Sequence, residues 1–279
     1  KSLDLIPDDY DICVCTDLDE VFEKGWRKYL EDSWVGSTSR ARYNYNWSLD
    51  DNNRPLVNFY TDKIHQRKNY KWTHPVHEVL TFLGDKENII TIDNIVLNHY
   101  SDKSKSRGSY LPLLELSVKE DPNDDRNMHY LGREYMYYGK WNECIDTLIK
   151  HLNLKSSTWK DERCASMRFI ARSYKNLGRV EESRMWYDKA INEAPYLRDS
   201  YVERGILEYE LDNYKEASKY LNDALNINSH EKTYINEIFS WDNTIYDMLS
   251  ICMFYLNRID ESLFYIDKAI DMEPNNERL

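Results

Sequence analysis

Three short clusters in the first hundred residues carry side chains able to do chemistry. Asp17-x-Asp19 closes the apolar run Ile12-Cys13-Val14-Cys15. Side chains at the carboxyl end of a buried strand project into the crevice where open α/β sheets bind ligands. Two carboxylates one residue apart suit a hard divalent cation and, through it, the oxygens of a diphosphate. A solvated acidic loop is the plain alternative. The second cluster is Tyr70-Lys71-Trp72-Thr73-His74-Pro75-Val76-His77-Glu78. His74, His77 and Glu78 suggest zinc ligands, but they lack the helical spacing of a zincin motif. A turn histidine beside a packed one is the alternative there. In the third cluster His99 ends the apolar run Ile95-Val96-Leu97, and Lys103, Lys105 and Arg107 come after it. Cations ahead of a helix oppose its macrodipole unless an anion lies near.

The elements that must position these residues read as strands with few helices. Residues 11–16 form a short buried strand that delivers Asp17 and Asp19. Residues 25–34 have the apolar spacing of an amphipathic helix, through Trp26, Tyr29, Leu30 and Trp34. Residues 37–49 alternate through Ala41, Tyr43, Tyr45 and Trp47. The turn cluster Asp50-Asp51-Asn52-Asn53-Arg54-Pro55 joins that strand to the next one as a hairpin. Further strands are expected over 59–66, 76–82, 89–92 and 95–99. A helix over 106–120 ends before Asp121-Pro122.

The remainder repeats itself. Residues 127–149 carry Met128, Leu131-Gly132, Tyr135, Gly139, Trp141, Cys144 and Leu148, and 164–195 carry Met167, Ile170-Ala171, Tyr174, Gly178, Ser183, Tyr187 and Ala190. Residues 198–228 and 243–274 give the same order through Gly205, Tyr209, Ala217 and Ala224, and through Leu249-Ser250, Asn257, Ser262 and Ala269. Small residues fall where two helices must touch, and Gly139, Gly178, Asn257 and Asp212 or Asn213 fall at the turn between them. The pattern resembles the tetratricopeptide repeat, a helix-turn-helix unit of about 34 residues. Residues 156–162 and 229–242 are insertions between repeats. The chain therefore divides into an α+β part over 1–122 with a mixed sheet, which includes the 106–120 helix, and an all-α solenoid of four repeats over 123–279. Stacked pairs make a concave groove lined by the first helix of each unit. Tyr137, Arg172 and Glu208 are expected to face it, and Tyr130, Tyr174 and Tyr187 to fill the core.

Taken in order, Asp17-Leu18-Asp19-Glu20-Val21, Gly25-Trp26, Val76-His77-Glu78, His99-Tyr100, Arg107 and Leu113-Leu114-Glu115 ahead of the repeats resemble the family 2 glycosyltransferases of GT-A type with C-terminal tetratricopeptide repeats. The resemblance implies inverting transfer of a hexose from a nucleotide sugar to a peptide or glycan acceptor. The repeats would hold that acceptor or a protein partner. It implies a divalent cation, Mn²⁺ or Mg²⁺, on Asp19 and His99, with Asp17 near the donor ribose or a metal-bound water. Glu78 would be the catalytic base, Trp72 and His77 would shape the sugar or acceptor pocket, and Lys103, Lys105 and Arg107 would meet the leaving diphosphate. Members of that family carry a nucleotide-binding half ahead of the Asp-x-Asp strand, so the resemblance also implies that this half is missing here.

Composition narrows the field. A formal net charge of −12 opposes binding to nucleic acid, which needs clustered Lys and Arg. No apolar run reaches the length of a membrane span, and with a first residue that is not Met a signal peptide is not expected. Five scattered cysteines without a CxxC pair read as buried free thiols in a reducing compartment, which suggests a cytoplasmic protein. Two other readings remain. One is a haloacid-dehalogenase-like phosphatase with Asp17 as nucleophile and Asp19 as general acid–base. The other is a non-enzymatic repeat protein that binds a partner.

Overall fold

The structure is a computed structural model that describes residues 3–7, 9–50, 52–73, 79–101 and 110–278. It divides into two units, the first holding the chain up to Arg107 together with Lys232–Tyr234, the second holding the remainder.

In the first unit the strands among the described residues are β1 (Ile12–Val14), β2 (Glu20–Phe22), β3 (Arg40–Leu49), β4 (Pro55–Gln66), β5 (Tyr70–Thr73), β6 (Val79–Phe82) and β7 (Ile89–His99), with one α-helix, α1 (Trp26–Ser33), and a 3-10 turn at Leu3–Leu5. Five strands form a sheet in the order β1-β4-β3-β7-β2, and β5 pairs with β6. The sheet is mixed, as expected: β3 and β7 are parallel, while the β1–β4, β3–β4 and β2–β7 pairs are antiparallel. Asp50 closes the β3–β4 hairpin by accepting hydrogen bonds from the amides of Asn52 and Arg54 at 2.8 and 2.7 Å, and Asn53 takes a φ of 59°.

The two strands expected at 89–92 and 95–99 are one. Tyr43 lies opposite Ile92 and the next residue, Asn44, opposite Val96, so the extra residues bulge out of β7. Side chains alternate along a strand, and the bulge resets that alternation. Ile92, Ile95 and Leu97 therefore all point into a core built with Leu30, Ala41, Tyr43, Tyr45 and Ile64. Phe22 stacks on Trp26 at 4.5 Å and ties α1 to this core.

The second unit begins with α2 (Tyr110–Glu120) and continues with α3 (Asp125–Tyr137), α4 (Trp141–Asn153), α5 (Lys160–Asn176), α6 (Val180–Glu193), α7 (Arg198–Glu210), α8 (Tyr214–Leu225), α9 (Thr244–Tyr255) and α10 (Ile259–Met272). Helix α2 packs on α3 and belongs to this unit, so the division falls between His99 and Tyr110 instead of at residue 122. Beyond α2 stand four helix pairs, α3–α4 to α9–α10, as the repeats require. At each inter-helix turn one residue takes a left-handed conformation: Gly139, Gly178, Asp212 and Asn257, with φ of 68°, 73°, 59° and 58°. Its amide and the next one bond back to the closing turn of the helix, for example Gly139 to Met136 O and Lys140 to Tyr135 O at 3.0 and 2.9 Å. Glycine and asparagine tolerate this geometry with little strain.

Gly132 lies so close to α4 that a Cβ there would sit 2.3 Å from Leu148 Cδ2, and one on Gly205 would sit 2.9 Å from Leu221 Cγ. Gly132→Ala is therefore expected to destabilise the protein by about 1–3 kcal/mol through overpacking. Urea unfolding monitored by circular dichroism measures this directly, and an unchanged midpoint would contradict the close helix contact.

Candidate functional site

The expected strand-end residues do meet. After β1 the Cys15 amide bonds to Lys63 O at 3.1 Å, and the loop folds back so that the Asp17 amide donates to Glu20 Oε2 at 2.8 Å. His99, at the end of β7, holds Nε2 3.6 Å from Asp19 Oδ2 and Nδ1 2.8 Å from Trp47 O. The Tyr100 amide donates to Asp19 O at 2.8 Å, which pins the two segments together.

Asp17 goes elsewhere. The Lys63 ammonium lies 3.2 Å from Asp17 Oδ2 and 3.2 Å from Glu20 Oε1, and Tyr45 donates to the same Glu20 oxygen at 2.7 Å. Burial works against the charge on Lys63, but Glu20 and Asp17 outweigh it and its pKa is raised. Sequence reasoning assigns neither Lys63, in the middle of a strand, nor Glu20 to the site. Asp17, Asp19 and His99 do not bring three ligand atoms within 4.8 Å of one another; among the described residues His129, His151 and Glu162 do, inside the helical unit. As arranged, Asp19 and His99 offer a cation two donors, and Asp17 is neutralised by an ammonium. Trp72 packs beside Leu3, Cys13, Tyr70 and Leu80 in a small core of its own. His77, Glu78, Lys103, Lys105 and Arg107 lie outside the described residues. All five cysteines are free, and four of them are buried.

In the second unit the first helices of the pairs carry an ionic network. Arg168, on α5, donates to Glu203 Oε1 on α7 at 2.5 Å, and Arg172 grips both oxygens of Glu203 at 2.7 Å each. Burial pushes the Glu203 carboxyl up, and the Arg172 and Arg168 guanidiniums overcome that and hold it down to about 2. Arg172, expected to face the groove freely, is instead tied to Glu203. Glu208, expected there too, is buried, and Arg184 grips its two oxygens at 2.7 and 2.8 Å with Arg204 beside it. Tyr137 does stand out, 57% exposed.

A segment of the 229–242 connection lies against α5 and α7. Arg168 Nη2 donates to Ile235 O at 2.7 Å, and the Glu237 amide donates to Asp199 Oδ1 at 2.6 Å. The Glu237 carboxylate accepts from Arg172 at 2.5 Å and lies 3.4 Å from Arg168 Nη1.

Comparison with known proteins bears on the helical unit. The tetratricopeptide repeat family matches residues 169–196 and 199–231, which span most of α5 to α8. Residues 169–231 of the helical part therefore carry tetratricopeptide repeats. The crystal structure of MamA is similar at 16% identity and a TM-score of 0.49, over 64% of this chain and 99% of that one. PilF of Pseudomonas aeruginosa is similar at 10% identity and 0.46, over 59% and 68%. YrrB, described as a tetratricopeptide-repeat protein with an unusual peptide-binding site, is similar at 12% identity and 0.45, over 61% and 79%. No curated protein matches the chain. The expectation of an enzyme is corrected by the repeat match: the family found is a repeat that assembles helix pairs, and no glycosyltransferase or phosphatase family matches with it. Among the described residues no helix is long and apolar enough to cross a membrane.

Glu203 gives the repeats a pH dependence whose sign is fixed. Its folded pKa, about 2, lies below the ordinary carboxylate value of about 4.3, so its contribution is present above that value and fades as pH falls toward 2. Glu203→Gln leaves two buried guanidiniums short of a partner and should cost about 3–5 kcal/mol at neutral pH. Urea titrations from pH 7 to pH 3 should show the difference between native and variant shrinking as pH falls. A constant difference would contradict the assignment.

Proposed function

We propose that this protein is a non-catalytic binding protein whose repeats hold an extended peptide segment of a partner protein. The observation that carries this reading is a cavity of about 730 Å³ formed by the last two repeats and lined by Tyr209, Tyr214, Phe254 and Tyr255. Tyr214 and Tyr255 stack at 4.4 Å with an interplanar angle of 7°, while Phe254 meets Tyr255 edge-on at 5.6 Å. Phe254 and Tyr255 are each 58% exposed at the end of the first helix of their pair. Rings in ordered contact with one another and open to water present a preformed apolar surface at small entropic cost, which suits aromatic anchors of binding sites. Glu210 and Asp212 also line the cavity, so its wall combines apolar faces with acceptor oxygens. A peptide that lays an apolar side chain on these rings gains about 1.5–3 kcal/mol from that burial.

Selecting peptides from a displayed random library against the full chain, then measuring their affinity by calorimetry, tests this. Tyr255→Ala is expected to raise Kd about tenfold, in line with the energy of one such anchor, and to leave the melting temperature nearly unchanged. Failure to select any peptide, or a Kd indifferent to Tyr255→Ala, would overturn the reading.

A further inference from the structure

We infer that the groove between α5 and α7 is a receptor for an extended peptide with an aliphatic residue two places before an acidic one, and that residues 235–237 occupy it as the chain's own displaceable ligand. This rests on the peptide-binding reading and names a ligand class and a control that the reading lacks.

The receptor side contacts the main chain at two points. Arg168 donates to the carbonyl of Ile235, and Asp199 accepts from the amide of Glu237 two residues on. With the segment in place both receptor side chains are buried almost completely, and Glu203 holds Arg168 independently of it. Glu237 has φ −101° and ψ 132°, an extended backbone. A cation on a carbonyl and a carboxylate on an amide recognise extended chain whatever its side chains. Selectivity comes from the two flanking side chains: Ile235 is buried, and the Glu237 carboxylate sits on Arg172 and Arg168.

Release of the segment leaves the site chargeable and intact. Arg168 and Arg172 remain paired with Glu203, and Asp199 adds a second negative charge beside Arg168. No buried cation is stranded, which is the penalty that makes an ordinary buried pair costly to open. Joining α8 to α9 does not demand this course either, since α6 and α7 connect in four residues, 194–197. The connection is closed at its base, where His230 stacks on Trp241 at 3.8 Å and 5° and the Arg198 guanidinium lies 3.8 Å from the Trp241 ring centroid. Displacement concerns residues 235–237 alone, because Lys232–Tyr234 are held with the first unit.

The test uses the full chain and a fluorescein-labelled peptide with the sequence of residues 233–239. Ile235→Ser with Glu237→Lys should expel the segment by placing an ammonium beside Arg172. Anisotropy titration should then show the peptide binding at least tenfold more tightly to this double variant than to the native chain. A peptide carrying Lys in place of its Glu should not bind. If the double variant fails to fold, Glu237→Gln replaces it and should move affinity in the same direction. A folded variant that binds the peptide no better than the native chain, or binds the Lys peptide equally well, would overturn the inference. Library peptides binding at Tyr255 would then still stand for the broader reading, and their absence would sink both.

Discussion

A helix pair of this chain cannot bury its own apolar face, and stacking on the next pair is the constraint on which the second unit depends. Close approach within a pair is its consequence. Gly132 faces Leu148 and Gly205 faces Leu221, with no room for a side chain at either glycine. The sharp reversals at Gly139, Gly178, Asp212 and Asn257 return each second helix along the first, and the cores of successive pairs become continuous. Helix α10 buries Ala269 and leaves Leu263 and Phe264 exposed.

Stacking also puts charge where a single pair would never hold it. Glu203 is unfavourable inside a helical array until two guanidiniums from the neighbouring pair surround it. A carboxylate with two arginines binds them in a fixed register, so the same cluster that stabilises α5 against α7 also shapes the groove they line. Arg168 serves both purposes, with one nitrogen on Glu203 and the other on a main-chain carbonyl of residues 235–237. Structural ionic pairing and recognition of extended chain are here one network.

The repeats are legible in the sequence because their signal is a spacing that returns four times, and spacing is set by local helix geometry. The hairpin at Asp50 and the helix after Gly25 are legible for the same local reason. β2 and β5 are not, since three or four residues carry no alternation to detect. The union of two expected strands into β7 depends on a bulge that only the partner strand reveals. At the acidic loop the convergence of Asp19 and His99 is readable from strand ends, but the neutralisation of Asp17 by Lys63 joins residues 46 apart in sequence. Arg172 and Glu208 show the converse error: both sit where groove-facing residues belong in the repeat, and both are claimed by partners on neighbouring helices. The motif order that suggests a sugar transferase is a sum of short strings, and its Glu20 already has work as the acceptor for Tyr45, Lys63 and the Asp17 amide.

An extended stretch of this chain is held in the repeat groove by a buried carboxylate, Asp199. Residue-resolved amide hydrogen exchange tests it most directly, because the Glu237 amide is bonded to the buried Asp199 and has no helix or sheet to protect it. This amide should exchange far more slowly than an unstructured one, and Asp199→Ala should remove the protection. Exchange of the Glu237 amide at the unprotected rate in the native protein would contradict it.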